Sequence, residues 1–167
     1  MQLVAYASEE PPFFRSDEMG SAVHAASLER PVKLMIALEM IGYYDSAPGS
    51  QNYPYPAMSW LYPDRGDFIA VVGRIQDINA VRQVKAALLS SQDLSVYSMN
   101  TPGFIPGIDF SDHLNYWQHD IPAIMITDTA FYRNKQYHLP GDTADRLNYQ
   151  KMAQVVDGVI TLLYNSK

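Results

Sequence analysis

The chain has 167 residues with 47% hydrophobic and 18% charged positions, the make-up of one ordinary globular domain that buries roughly two thirds of its unfolded surface. A formal net charge of −6 opposes phosphate backbones and argues against nucleic acid as the main partner. The absence of cysteine excludes disulfides and thiolate-bound metal, so any metal must be held by His, Asp and Glu.

Met1-Gln2 leads straight into Leu3–Ala7, an apolar run that reads as a buried strand and not as a charged leader with an apolar core. Domains more often open on a surface segment, so this start suggests a truncated or split protein. Glu9-Glu10 and Pro11-Pro12-Phe13-Phe14 follow. The acidic pair reads either as a solvated turn or as a functional pair, and the rigid apolar segment behind it favours the wall of a pocket. A helix is expected over 17–29, with Asp17 as its cap. The next strand is expected at Lys33–Met40 and carries Glu39 among neighbours that all read as buried, so the carboxylate needs a salt bridge, hydrogen bonds or a metal.

Residues 43–65 hold Pro48, Gly49, Pro54, Pro56 and Pro63. Such a segment cannot be a helix or a central strand, and reads as an ordered loop over the end of the sheet. Further strands are expected at Phe68–Gly73, Leu94–Ser98 and Ala123–Thr127. Ile78, Val81, Val84 and Leu88 recur at helical spacing. A short helix is expected after Ser111-Asp112, which read as its N-cap, with His113 in the first turn. The last helix runs from about Asn148 to Tyr164, with Met152, Val155, Val156, Val159, Ile160 and Leu163 in one apolar stripe. Alternating strands and helices predict a three-layer α/β sandwich with a mainly parallel mixed sheet, as one domain over 1–167.

Ligands of such sheets bind beyond the carboxyl ends of strands. Glu9 and Glu10 follow the first strand, Glu39 lies near the end of the second, Ser111 and Asp112 precede the third helix, and the pair Tyr137-His138 sits in the loop after the last strand. Adjacent carboxylates diverge, so one can bind a metal while the other reaches metal-bound water. His138 reads either as a loop histidine stacked on Tyr137 or as a ligand that Asp142 could orient. His24 and His119 read as structural or solvent-facing, and Asp128-Thr129 and Asp142-Thr143 as local support.

The order Leu3–Phe14, Met19-Gly20-Ser21, Leu38–Tyr44, Gly66–Ala70, Ser111-Asp112-His113, Ile121-Pro122-Ala123, Arg133-Asn134, Tyr137-His138 and Asp142-Thr143 resembles the co-catalytic zinc aminopeptidase family, which also holds glutamate carboxypeptidases and glutaminyl cyclases. The resemblance implies a phosphorylase/hydrolase-like fold, truncated at its N-terminal side, acting on a peptide or amino-acid derivative. It implies Glu9 as general base, Glu10 and His138 as ligands of one zinc, Glu39 as a ligand of the other, and Tyr137 steadying the tetrahedral intermediate. Ser111, Asp112 and Asp142 would support those ligands. The family carries two zinc ions about 3.5–4 Å apart, with a His ligand and a bridging Asp upstream of the Glu-Glu pair. Without them at most one weakly held zinc is expected, with little activity, so the chain is a weak aminopeptidase, a peptide-binding domain without metal, or half of a split enzyme. The partners expected are a second copy or a complementing N-terminal chain, with no membrane and no nucleic acid, and location is left open.

Overall fold

The structure is a computed structural model that describes residues 1–90, 93–103 and 105–165. Its elements in chain order are α1 (Gly20–Ala26), β1 (Met35–Glu39), β2 (Phe68–Arg74), α2 (Ile78–Leu88), β3 (Ser95–Thr101), α3 (His113–Trp117), β4 (Ala123–Thr127) and α4 (Tyr149–Asn165), with short 3₁₀ turns between them. Four strands form one sheet in the order β1-β4-β2-β3. β1 runs parallel to β4 and β2 parallel to β3, while β2 and β4 are antiparallel. The sheet is therefore mixed, and the ends of β1 and β4 share an edge of the sheet with the starts of β2 and β3.

The core follows from strand alternation. Ile69, Val71, Ile124 and Ile126 pack on one face against Val81, Val84 and Leu88 of α2 and Val155 and Leu162 of α4. Phe68, Ala70, Val72 and Met125 take the other face with Ile108 and Trp117, where α1 and α3 also lie, joined through Ala25, Tyr116 and Ala123. These are the three layers. β2 is buried from Phe68 to Gly73 on both faces, which is why its sequence reads as a continuous apolar run. Gly158 lets α4 touch α2, since a Cβ there would stand 2.8 Å from the Leu88 Cα.

Three expectations are corrected. Leu3–Ala7 is not a strand: Leu3 is 86% exposed, and the segment is tied by the Ala7 carbonyl, which accepts from Gly20 N at 2.9 Å, and by the Tyr6 hydroxyl, which meets His24 and Tyr116. A β-prone run becomes a strand only where a neighbour offers a ladder, and among the described residues none does. The first helix is shorter than 17–29, with Met19 and not Asp17 at its N-cap. Asp112 does occupy the N-cap of α3, but its side chain makes no cap bond.

His113 is fully buried, its Nε2 2.7 Å from the Ile108 carbonyl and its ring edge-on to Trp117. Burial pushes its pKa down to about 4. The unfolded ring takes its proton near pH 6.5 while the folded one resists, so the stabilisation is present above pH 6.5 and is lost as pH falls toward 4. Between pH 7 and pH 5 the loss is about 2 kcal/mol. Urea midpoints across that range should fall more for the wild type than for His113→Gln, whose amide can still serve the Ile108 carbonyl. Equal slopes would refute this assignment.

Candidate active site

The site is assembled where β1 and β4 end. β1 delivers Glu39, whose Oε2 accepts from Ser111 Oγ at 2.9 Å. Directly after it Met40 turns with φ +48°, a conformation that non-glycine residues hold only under constraint. Asp128 supplies the constraint. Its buried carboxylate accepts from Gly42 N at 3.1 Å, Tyr43 N at 2.7 Å and Ala130 N at 3.0 Å, while its own amide donates to the Met40 carbonyl at 2.6 Å. One side chain thus ties the exit of β1 to the exit of β4. Burial pushes Asp128 up to about 6, against the three amides and Arg133, which pull it down.

His138, also at positive φ, stacks on Tyr137 with ring centroids 3.9 Å apart and 16° between planes. Its Nε2 lies 3.1 Å from Glu10 Oε1, and both side chains are more than half exposed. Asp142 does not act on this ring directly. It accepts from Asn134 Nδ2 at 2.8 Å, and Arg146 donates to Asn134 Oδ1 at 2.8 Å, so the pair braces the loop that carries Tyr137-His138.

Glu9 is half-buried, and burial, followed by Glu39, Glu10 and Asp112, pushes it up to about 7. Glu39 is raised by burial first, then by Asp112, Glu10 and Asp128, with the Ser111 hydroxyl opposing. Asp112 is raised by its burial, with Ser21 opposing, and its Oδ1 is buried without a partner. Tyr137 is pushed up to about 12 by burial and by Glu10, Glu39, Glu9 and Asp142, so its hydroxyl stays protonated at neutral pH and can donate. Mutual action of this kind sets Glu9, Glu10, Glu39 and Asp112 near one another, with the neutral Tyr137 hydroxyl beside them.

An apolar pocket of about 100 Å³ opens beside the cluster, with Glu39 and Tyr137 in its wall and Phe68, Tyr97, Met99 and Met125 among its lining. Residues 51–54, Met58 and Tyr62 of the proline-rich loop cover it, so that loop does sit over the end of the sheet. Phe13 and Phe14 do not line this pocket. Phe14 packs edge-on at 5.9 Å against Phe110, which does line it. His24 meets the Tyr6 and Tyr116 hydroxyls, and His119 is exposed. Sequence reasoning passed over the pocket lining and understated Asp128. A buried acid flanked by Thr127 and Thr129 at a strand end was the only signal for the latter.

As metal donors, Glu10 and His138 form a pair and Glu39 stands apart with Ser111. Among the described residues no three His, Asp or Glu gather closely enough to hold an ion. The donors are of the right kind for zinc, but one short of the three protein ligands that catalytic zinc takes.

Residues 1–163 match the sequence profile of peptidase family M28. The chain is 99% identical over 167 residues to the Escherichia coli (strain K12) uncharacterized protein YfbL, covering all of this chain and 52% of that protein, so it spans about half the length of this relative. Its fold is similar to that of the LapA aminopeptidase of Legionella pneumophila, with TM-score 0.63 and 20% identity over 94% of this chain and 37% of LapA. It is also similar to BSAP, a zinc aminopeptidase from Bacillus subtilis, with TM-score 0.59 and 15% identity over 88% of this chain and 32% of BSAP. At these identities the likeness to the solved structures is one of fold.

Proposed function

The chain belongs to peptidase family M28, and on that premise we propose that it is one part of a metal-dependent aminopeptidase, supplying the proton carrier, the hydroxyl donor and a share of the metal ligands. The observation that carries the reading is the Glu10–His138 pair, 3.1 Å apart, in the same carboxylate cluster as Glu9 and Glu39 and beside an apolar pocket. Carboxylates raised first by burial and then by one another's charge suit the free ammonium of a peptide's amino end, and the pocket suits an apolar side chain on that residue.

In this reading Glu9 holds a proton taken from the attacking water and passes it to the leaving amine nitrogen. The Tyr137 hydroxyl donates to the carbonyl oxygen as charge develops there. Glu10 and His138 would be ligands of one zinc and Glu39 of another, and zinc when bound supplies Lewis-acid polarisation and an acidified water. The ligands on this chain do not complete a site, which favours a second reading, a peptide-binding domain that keeps the cleft and not the metal.

Two measurements separate the readings. Titration of the chain with cobalt should give a weak visible band that His138→Ala removes, with little turnover of amino-acid amides by this chain alone. In the longer Escherichia coli relative the corresponding Glu9→Gln change should lower the turnover of such amides by about 10²–10⁴-fold, the usual contribution of a positioned acid–base group. Unchanged turnover would sink the catalytic role of Glu9. A chain that binds amino-acid amides but shows no cobalt band would favour the binding domain.

A further inference from the structure

Gln51 does more at the pocket than line it. It sits in the proline-rich loop at 6% exposure, and its buried amide uses every bond it can make. Oε1 accepts from Arg133 Nε at 2.9 Å and from the Thr129 hydroxyl at 3.2 Å. Nε2 donates to the Asn52 carbonyl at 2.8 Å and to Thr129 Oγ1 at 2.9 Å.

These bonds join parts of the pocket that the sequence keeps far apart. Asn52 belongs to the loop that covers the pocket and Thr129 to the exit of β4, and both line it. Arg133 lies over the ring of Phe68, another lining residue, at 4.7 Å. Thr129 is the costly member. Its φ is +77°, a left-handed conformation that a β-branched residue holds only where its surroundings over-determine it. Ala130 follows at φ +48°, and Ala130, Phe131 and Tyr132 carry the pocket wall onward. The loop itself has further moorings. Gln51 N donates to the Asp64 carbonyl at 3.0 Å and Asn52 N to the Tyr132 carbonyl at 2.8 Å, and the Tyr53 and Tyr62 hydroxyls donate to the carbonyls of Pro63 and Ser98 at 2.6 and 3.1 Å. Loss of the Gln51 side-chain bonds therefore shifts the wall without releasing the loop.

We propose that Gln51 is a positioning residue for the bound amino-acid residue. Its amide fixes the loop wall and the β4-exit wall of the pocket relative to each other, and so sets how firmly an apolar side chain is held between them. The role rests on the reading of the pocket as the seat of that side chain. It places selectivity in a polar residue that acts through Thr129, Asn52 and Arg133, and not only in the apolar lining.

The test is NMR titration of the whole chain with leucine amide and with glycine amide, for the wild type, Gln51→Met and Gln51→Glu. Methionine keeps the length of the side chain and makes none of the amide's bonds. Glutamate keeps the acceptor oxygen for Arg133 and Thr129. The wild type should bind leucine amide at least about tenfold tighter than glycine amide, the usual worth of a buried leucine side chain. Gln51→Met should bring that ratio to about threefold or less with glycine amide bound as before, and Gln51→Glu should restore most of it. A role in stability alone would weaken both ligands together and leave the ratio intact, which would overturn the proposal. A ratio lost as fully in Gln51→Glu as in Gln51→Met would also overturn it. Where Gln51→Met does not fold, the wild type decides: leucine amide should shift the Gln51 side-chain amide resonances and glycine amide should leave them in place. Resonances unmoved by leucine amide would end the role of Gln51 and leave the pocket reading standing. A wild type that binds both ligands equally, or neither, would remove the pocket reading and the role of Gln51 with it.

Discussion

Phe68→Ala should lower stability by about 3–5 kcal/mol, the usual loss for a fully buried phenylalanine, a large part of the 5–15 kcal/mol that a domain commands. Phe68 opens the central strand at 2% exposure. Its ring stands 5.0 Å from that of Tyr97 and lies under the Arg133 guanidinium at 4.7 Å. Truncation removes the support of both, leaving a buried guanidinium whose one free nitrogen already has no partner. The same ring lines the apolar pocket, so the lost volume opens into that pocket. Urea unfolding should show a lower midpoint at an unchanged slope. Phe68→Leu should cost less than half as much, since a leucine keeps much of the volume. Equal midpoints for wild type and Phe68→Ala would mean that the sheet recloses over the gap, against this packing.

Asp128→Ala should cost about 3 kcal/mol or more, because hydrogen bonds to a charged acceptor count for about 1.5–3 kcal/mol each and buried donors left unpaired are penalised again. Three amides lose their acceptor at once. The damage is local as well as global, since these amides hold the turn directly after Glu39. Hydrogen exchange should therefore accelerate at Gly42, Tyr43 and Ala130 beyond what the global loss accounts for, and peptide binding should weaken even where the variant is folded. Protection unchanged at all three amides would show that the strand exits are held by something else.

The parts of the fold that could be read from sequence are those whose pattern records their own surroundings. Phe68–Gly73 is apolar throughout because it is covered on both faces, and α2 and α4 show their buried stripe at helical spacing. Leu3–Ala7 has the same composition and no ladder, because pairing belongs to the neighbour and not to the strand. The parallel or antiparallel sense of β2 against β4 is likewise absent from either strand's residues.

At the site, Glu39 stood out because a carboxylate among apolar neighbours needs a reason, and the structure supplies the Ser111 hydroxyl beside it. Glu10 and His138 are separated by 128 positions, so their meeting was expected only through the order of motifs. The ring contacts of Phe14 with Phe110 and of Phe110 with Phe131 join residues far apart in the chain, so nothing in the sequence marks them.

The parallel pairing of β1 with β4 sets a schedule for biosynthesis. Met35 waits for Ala123, roughly 90 residues later, which at about 5–20 residues per second leaves β1 without this neighbour for several seconds. During that interval Met35-Ile36-Ala37-Leu38 is a short apolar strand whose β4-facing edge is open, with its brevity and the charges of Lys33 and Glu39 at its flanks to discourage wrong partners. A nascent chain in that state is a natural client for the chaperones that meet polypeptides at the ribosome exit.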